Sequence, residues 1–342
     1  MALGSSILFG CTTVPSDPTK FEPFAATEPV VEGVPKDIIF NVYDTIEFAR
    51  LFTEIGGYDI VVGNNLEDVI PSKDLLTLVK DDHFPRLRLV RREATAPLAR
   101  PLDAQSWDTG CYWSLMVRAK DLSSIVEDAE PLGWKPRTPI AYLEFGESKL
   151  HIVVLQHQKT GAQVQFYERL STPLPKDYPD FDRFGVPFNI MQMASDRDET
   201  YEFFTEMLGF SSWYHGDPYV SDTEAVMPLG IPPELTTIVP YRASIVSPRP
   251  NMERGRFEMI EVMGEGHLPT ARDLSGQCHA GAVGLVSVRY FTPHLQKAAT
   301  SLKARGYAFD ETEFETVIDD LRTQAFTVKS PDGAMIVISV LQ

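Results

Sequence analysis

Few of the side chains around which enzyme chemistry is usually built are present. Of 342 residues, seven are histidine and three are cysteine. Cys11, Cys111 and Cys278 lie far apart in sequence without CxxC spacing, and an odd count cannot close into a complete disulfide framework, so a reducing, cytoplasmic setting fits best. No Gly-x-Ser-x-Gly elbow, phosphate-cradling glycine-rich loop or His-Glu-x-x-His occurs, which removes the usual signatures of serine hydrolases, nucleotide-binding loops and zinc proteases. No window approaches the roughly 18 uninterrupted apolar residues of a membrane-spanning helix. Positive charge is also short: 31 Lys and Arg against 48 Asp and Glu leave a net charge of -17. Such a surface repels phosphate backbones and anionic lipids, so neither nucleic acid nor a membrane is an expected partner. The strongest basic run, Arg86, Arg88, Arg91 and Arg92, reads as the exposed face of one strand, with binding of a substrate anion as the alternative. Leu8-Phe9-Gly10-Cys11 loosely resembles a lipoprotein cleavage box, but no Lys or Arg precedes it and the apolar stretch is short, so export is not expected.

Repetition is plentiful. Asp44 to Tyr58 parallels Asp196 to Phe210, with Phe-Thr-Glu in common and 13 residues from Asp to Gly in both. Asp121 to Trp134 parallels His294 to Tyr307 at an offset of 173, and Gly161 to Phe166 parallels Gly333 to Ile338 at 172. Two markers at nearly one offset indicate duplication. Each segment has the same grammar: an apolar strand, a helix closing on Gly plus an aromatic, then β-rich sequence. Asp44, Asp121 and Asp196 stand where a helix needs an N-cap, and the glycines where a C-cap needs positive φ. At His294 the cap is replaced, with Thr292 as cap and Pro293 at the first helical position.

The chain therefore reads as modules A, B, C and D, beginning near residues 36, 110, 186 and 279, in the order A-B then C-D. Residues 1–35 hold five prolines and form an arm, 36–170 a first paired-module domain, 171–185 a proline-rich linker, and 186–342 a second paired-module domain. Module C carries 98 residues from Asp196 to His294 where A carries 77 from Asp44 to Asp121. The excess falls in the proline-rich stretch from Ser221 to Pro250, a candidate lid over the C-terminal cavity.

Strand, helix closing on Phe-Thr-Glu-x-x-Gly-Phe, and a final Pro-Asp-Gly turn before an apolar strand together resemble the vicinal-oxygen-chelate superfamily of glyoxalases, bleomycin-resistance proteins and extradiol dioxygenases. Asn189 to Phe210 and Ser330 to Ile336 carry the resemblance best, and it covers roughly residues 36–342. It implies an α+β fold: four βαβββ modules forming two tandem cupped mixed-sheet domains. It also implies divalent-metal ligands on the first and last strands of modules, usually His, Gln or Glu. The corresponding positions are Asp37, Arg91, Ser114, Gln165, Asn189, Glu261, Ser287 and Val337. None is histidine, Arg91 repels a dication and Val337 offers no donor, so no metal or other cofactor is expected, with a divalent metal on atypical ligands as the lesser alternative.

Strand parity then nominates the cavity lining. In the C-terminal cup Glu261 shares a face with Phe257 and Met259, while Glu258 points away. The first strand of C adds Asn189, Met191 and Met193, and D adds Ser287 and Arg289. A lone carboxylate on such a wall has its pKa raised and suits proton transfer, with Arg289 and Asn189 stabilising an oxyanion and Tyr214 or His215 assisting; alternatively Arg289 neutralises Glu261 structurally. The N-terminal cup offers Ser114, Met116, Arg118, Gln165 and Tyr167, mainly neutral or cationic groups that favour holding an anionic or carbonyl-bearing ligand over activating it. His151 and His157 flank the strand before Gln165 and read as structural. The leading expectation is a cytoplasmic, metal-independent lyase or isomerase acting on a carbonyl or aromatic small molecule, as a monomer or homodimer. A non-enzymatic binding or resistance protein, and a metal-dependent dioxygenase or lyase, are the alternatives.

Overall fold

The computed structural model describes residues 29–340 apart from 32, 62–73, 82, 146, 177, 308–314 and 319–320. Most of the expected arm, including Cys11 and residues 1–28, lies outside the described residues. Four modules follow in order. Module A contains β1 (Asp37–Val42), α1 (Thr45–Arg50), β2 (Asp59–Val61), β3 (Leu75–Lys80) and β4 (His83–Arg91). Module B contains β5 (Tyr112–Ala119), α2 (Leu122–Ala129), β6 (Trp134–Pro136), β7 (Ala141–Phe145), β8 (Ser148–His157) and β9 (Gln163–Arg169). Module C contains β10 (Phe184–Met193), α3 (Arg197–Glu202), β11 (Ser211–His215), β12 (Tyr241–Ser247) and β13 (Arg256–Val262). Module D contains β14 (Gly284–Thr292), α4 (Leu295–Ala304), β15 (Glu315–Ile318), β16 (Leu321–Lys329) and β17 (Met335–Val340). Among the described residues no helix is long and apolar enough to cross a membrane.

Helix starts follow the capping chemistry. Asp44 accepts from the Glu47 amide, Asp121 from Ser124, and Asp196 from Asp198 and Glu199. At α4 the expected arrangement shifts by two residues: His294 is the cap position and Thr292 accepts from its amide, which leaves Pro293 before the helix rather than inside it. The shared Phe-Thr-Glu lies in a π-helical turn that extends α1 over Leu51–Ile55 and α3 over Phe203–Met207. The glycines closing the four helical segments, Gly57, Gly133, Gly209 and Gly306, all have positive φ.

Two mixed sheets result, but the modules do not pair in chain order. An eight-stranded sheet runs β15-β16-β17-β14-β1-β4-β3-β2, joining A to D, and a nine-stranded sheet runs β11-β12-β13-β10-β5-β9-β8-β6, with β7 also paired to β8, joining B to C. In the first, β1 runs antiparallel to β14 with Asp37 opposite Arg289; in the second, β10 runs antiparallel to β5 with Asn189 opposite Met116. The expected grouping of A with B and C with D is thereby corrected, and the stretch 171–185 connects two neighbours within one sheet instead of two domains. Tyr178 and Phe181 from that stretch are buried in an apolar cluster with Phe188 and Met191, so it packs as part of the B–C unit.

One hydrophobic core lies between the sheets, formed by the helices and the helix-bearing faces of both. Phe48 and Phe52 of the α1 segment meet Trp134 of module B at 5.1 and 6.4 Å, and Tyr112, Phe257 and Tyr290 bring B, C and D together. Polar stitches add to it. Asp332, in the turn before β17, accepts from the Ser195 amide and hydroxyl and from Thr200 of module C. Cys111, at the start of β5, and Cys278, before β14, form a disulfide. An odd count leaves room for one pair, and these two make it despite a sequence separation of 167.

Candidate functional site

The face of the nine-stranded sheet opposite the helices curls around a cavity of about 380 Å³. Its two edges meet: Phe145 on β7 stacks on Trp213 of β11 at 6.2 Å and abuts Tyr214 edge-on at 5.3 Å. The segment between β11 and β12 covers the opening, with Met227, Pro228 and Leu229 reaching the cavity. The excess of module C therefore does form a covering loop. It occupies residues 216–240, because Tyr241–Ser247 is β12.

Alternation on the two central strands places the expected residues as parity requires. Asn189 and Met191 of β10 and Gln165 and Tyr167 of β9 face the cavity. Met193 lies in the apolar cluster continuous with this floor, and Ser114 lies beside it, accepting from Gln165 Nε2 at 2.6 Å. These residues were expected in two different cups; the pairing of B with C brings them into one. Tyr214 joins them at the edge.

On β13 the expected parity is reversed. Arg256, Glu258 and Ile260 face the cavity, whereas Phe257 and Met259 belong to the core under the helices. Glu261 is directed at α3, where its Oε2 accepts from the Arg197 amide at 2.9 Å and from Arg242 Nε at 2.8 Å. It caps a helix and neutralises a cation outside the cup. His215 also lies outside the lining: its Nδ1 is 2.8 Å from Ser244 Oγ and its ring lies 4.3 Å from that of Tyr201. Burial and the nearby Arg197 lower its pKa. Ser287 and Arg289 belong to the other sheet. His157 is buried against Phe48 and Trp134, with Nδ1 3.0 Å from Thr160 Oγ1, in the structural role expected of it.

Glu258 therefore takes the position expected of Glu261. Asn189 Nδ2 donates to its Oε2 at 2.9 Å, and Tyr167, Tyr214 and Tyr241 also line the cavity. Enclosure raises the carboxyl to about 7, against the opposing pull of Asn189 and Arg256. Burial keeps the three phenols protonated far above neutrality, and the charge of Glu258 contributes to each.

Of the cations at this end of the sheet, Arg118 lines the cavity as strand parity expects, and Arg169 and Arg256, which parity did not nominate, line it too. Arg118 is 5% exposed, with its guanidinium 3.9 Å over the Phe188 ring. Its Nε has no acceptor, and among the described residues no carboxylate forms an ion pair with it. Burial, with Arg169 and Arg256 close by, lowers its pKa to about 10, so it stays charged at neutral pH. Arg256 stacks on Trp213 at 4.1 Å and pairs with Glu253 at 3.0 Å. The signal available in the sequence was the alternation Arg256-Phe-Glu-Met, in which the more apolar face belongs under the helices and the more polar one in the cup.

Among the described residues neither cup offers a donor set suited to the dication that the family resemblance implies. The carboxylate on Asn189 is Glu258. Asn189 Oδ1 already accepts from the Ile190 amide, and Gln165 Oε1 from the Tyr167 hydroxyl. Two neutral amides already engaged, one carboxylate and adjacent guanidiniums make a poor cage for a divalent ion. In the A–D sheet the equivalent place holds an ion-pair cluster. Asp37, with its side chain fully buried, accepts from Arg86 Nε at 2.8 Å and from Arg289 through Nε at 2.6 Å and through Nη2. Burial alone would raise the Asp37 carboxyl, but Arg289, Arg86 and Arg88 outweigh it and hold it below the usual range. Arg86 is half-buried and Arg88 buried, so β4 is not the exposed basic face expected of it, although Arg91 at its end is exposed on Asp74.

No family model matches the sequence, and no curated protein matches it by sequence. Among solved structures, the chain is similar to glyoxalase I from Zea mays, with a TM-score of 0.57 and 13% identity over 90% of this chain and 92% of that one. It is also similar to a Bacillus subtilis protein named provisionally as a dioxygenase, with a TM-score of 0.50 and 12% identity over 92% of this chain and 86% of that one. At these identities the likeness is one of fold. Four βαβββ modules in one chain, two mixed sheets and this superposition together establish that the protein has the vicinal-oxygen-chelate fold in the single-chain, glyoxalase I-like arrangement.

Proposed function

We propose that the B–C cup is the active site of a metal-independent enzyme, a lyase or isomerase, that moves a proton on a small carbonyl-bearing or aromatic molecule. The observation that carries this reading is Glu258, a carboxyl raised to about 7 that faces the cavity beside Asn189. A group that titrates near neutrality can both take and return a proton, and such transfer contributes roughly 10²–10⁴-fold in rate. Asn189 holds the carboxylate in place. Tyr214 and Tyr241, protonated and close by, are suited to donate to the oxygen of a substrate carbonyl as it gains charge. The Cys111–Cys278 bridge weighs against the cytoplasmic setting expected from the cysteine count, because disulfides persist in oxidising compartments.

The test is exchange of carbon-bound hydrogen in D2O, followed by NMR over a panel of alkyl aryl ketones and arylacetaldehydes with an enolisable hydrogen on the carbon next to the carbonyl. Chelator-treated wild-type protein is expected to catalyse exchange for at least one member, and Glu258→Gln to lose it by about 100-fold or more. Exchange that appears only on adding a divalent metal would favour the metal-dependent alternative. The apolar and aromatic lining also suits a protein that only holds its ligand, and stoichiometric binding without exchange or product would select that reading.

A further inference from the structure

The proton-transfer reading leaves the cations of the cup unused, and they identify the class of ligand. Arg118 is a deeply buried guanidinium without an ion-pair partner among the described residues, set in a cavity wall. Burying an unpaired charge is costly, and the cost is recovered when a counter-charge arrives. Arg169, half-buried on β9, lines the same wall, its Nε also lacks an acceptor, and the two arginines repel each other. Glu253, which also lines the cavity, pairs with the third, Arg256, and its charge reaches Arg169, leaving Arg118 the least compensated of the three. Glu258 lies two residues further along β13, and Glu144 and Asp217 also line the cavity. The Arg118–Arg169 corner is thus the cationic part of a cavity whose other walls carry acids and aromatic rings. Arginine's planar fork matches a carboxylate in two parallel hydrogen bonds. Phe145, Trp213 and Tyr214, packed on one another, add aromatic surface to the same cavity.

We infer that the cup binds an aryl carboxylate, its carboxylate on Arg118 and Arg169 and its ring against Phe145 and Trp213. This rests on the cup being the functional site but not on Glu258 being its base. The charged end is held by the arginine corner and the ring by the aromatic pair.

Isothermal titration of the full-length protein with trans-cinnamate and phenylacetate, each beside its neutral amide, is the test. The acids are expected to bind at least tenfold more tightly than the amides. Arg118→Gln should abolish that preference, so that acid and amide bind alike, and Arg169→Gln, at a more exposed position, should reduce it if the Arg118 variant does not fold. Equal binding of acid and amide by wild-type protein, or no binding of either, would overturn the inference without recourse to any variant. Glu258→Gln separates the two readings, since it should bind the acids as well as or better than wild type. Carboxylate binding without hydrogen exchange would sink only the proton-transfer reading; exchange of a neutral aryl ketone without carboxylate preference would sink only the arginine corner.

Discussion

Glu258 and Glu261 are three residues apart on one strand and have opposite work. Sequence patterning located the strand and its acids but assigned the apolar face to the cavity, and a one-residue error in parity exchanges every side chain between faces. The same reasoning placed Gln165 and Tyr167 correctly, because there the polar face was taken as the lining. Glu261→Gln is expected to leave hydrogen exchange untouched and to cost about 1 kcal/mol through the α3 amide it caps, measured by urea unfolding; loss of exchange would mean that Glu261 reaches the substrate. Acid–base linkage gives a second prediction. His157 is pushed down to about 4 by burial, from 6.5. The unfolded chain therefore binds more protons between pH 4 and 6.5, and stability from this group rises with pH. Glu258 is raised from 4.5 to about 7. The folded chain binds more protons between 4.5 and 7, and stability from this group falls as pH rises. The two slopes oppose each other over nearly the same window. Glu258→Gln should therefore reveal an uncompensated rise, on the order of 3 kcal/mol, between pH 4 and 7, and should be more stable than wild type at pH 8. Parallel unfolding curves for both proteins would contradict these assignments.

Elements were the most legible part of the sequence. Capping aspartates, closing glycines and the repeated Phe-Thr-Glu each encode a local backbone requirement, and local requirements can be read without knowing what packs where. The Cys111–Cys278 bond was not legible, because it depends on two segments 167 residues apart meeting at the junction of the sheets. A loop of that length gives a large constraint on the unfolded chain, typically about 2–4 kcal/mol. Thermal melts with and without dithiothreitol should differ by several degrees for wild type and coincide for a Cys111→Ser, Cys278→Ser double variant. A wild-type melt insensitive to reductant would show that the bond adds nothing to the junction.

At the scale of the molecule, four modules could be counted in the sequence but their partners could not. Any two modules present similar strand edges, and the choice of A with D rests on distant contacts such as Asp37 with Arg289. Charge acts at this scale too. With a net charge of -17 the protein repels an anion at long range, while the Arg118 corner attracts it only inside the cup. Salt screens the first more than the second, since exposed charges beyond about 10 Å are largely screened at 0.1 M. Stopped-flow binding of cinnamate, followed by tryptophan fluorescence, should speed up in association as NaCl increases, with little change in dissociation. A falling association rate would mean that the cup's own field dominates the approach.

The pairing also sets an order of assembly. Modules B and C lie inside A and D in the chain as one pair of brackets lies inside another. During synthesis the B–C sheet has all its strands well before the last module leaves the ribosome, whereas β1 must wait for β14, with Asp37 and Arg289 separated by 252 residues. Long-range pairings of this kind form late and leave strand edges unpaired in the interval. The half of the molecule that holds the cup can therefore close first, and the half that holds the buried ion pairs becomes a clamp added around it, completed only when β1 meets β14.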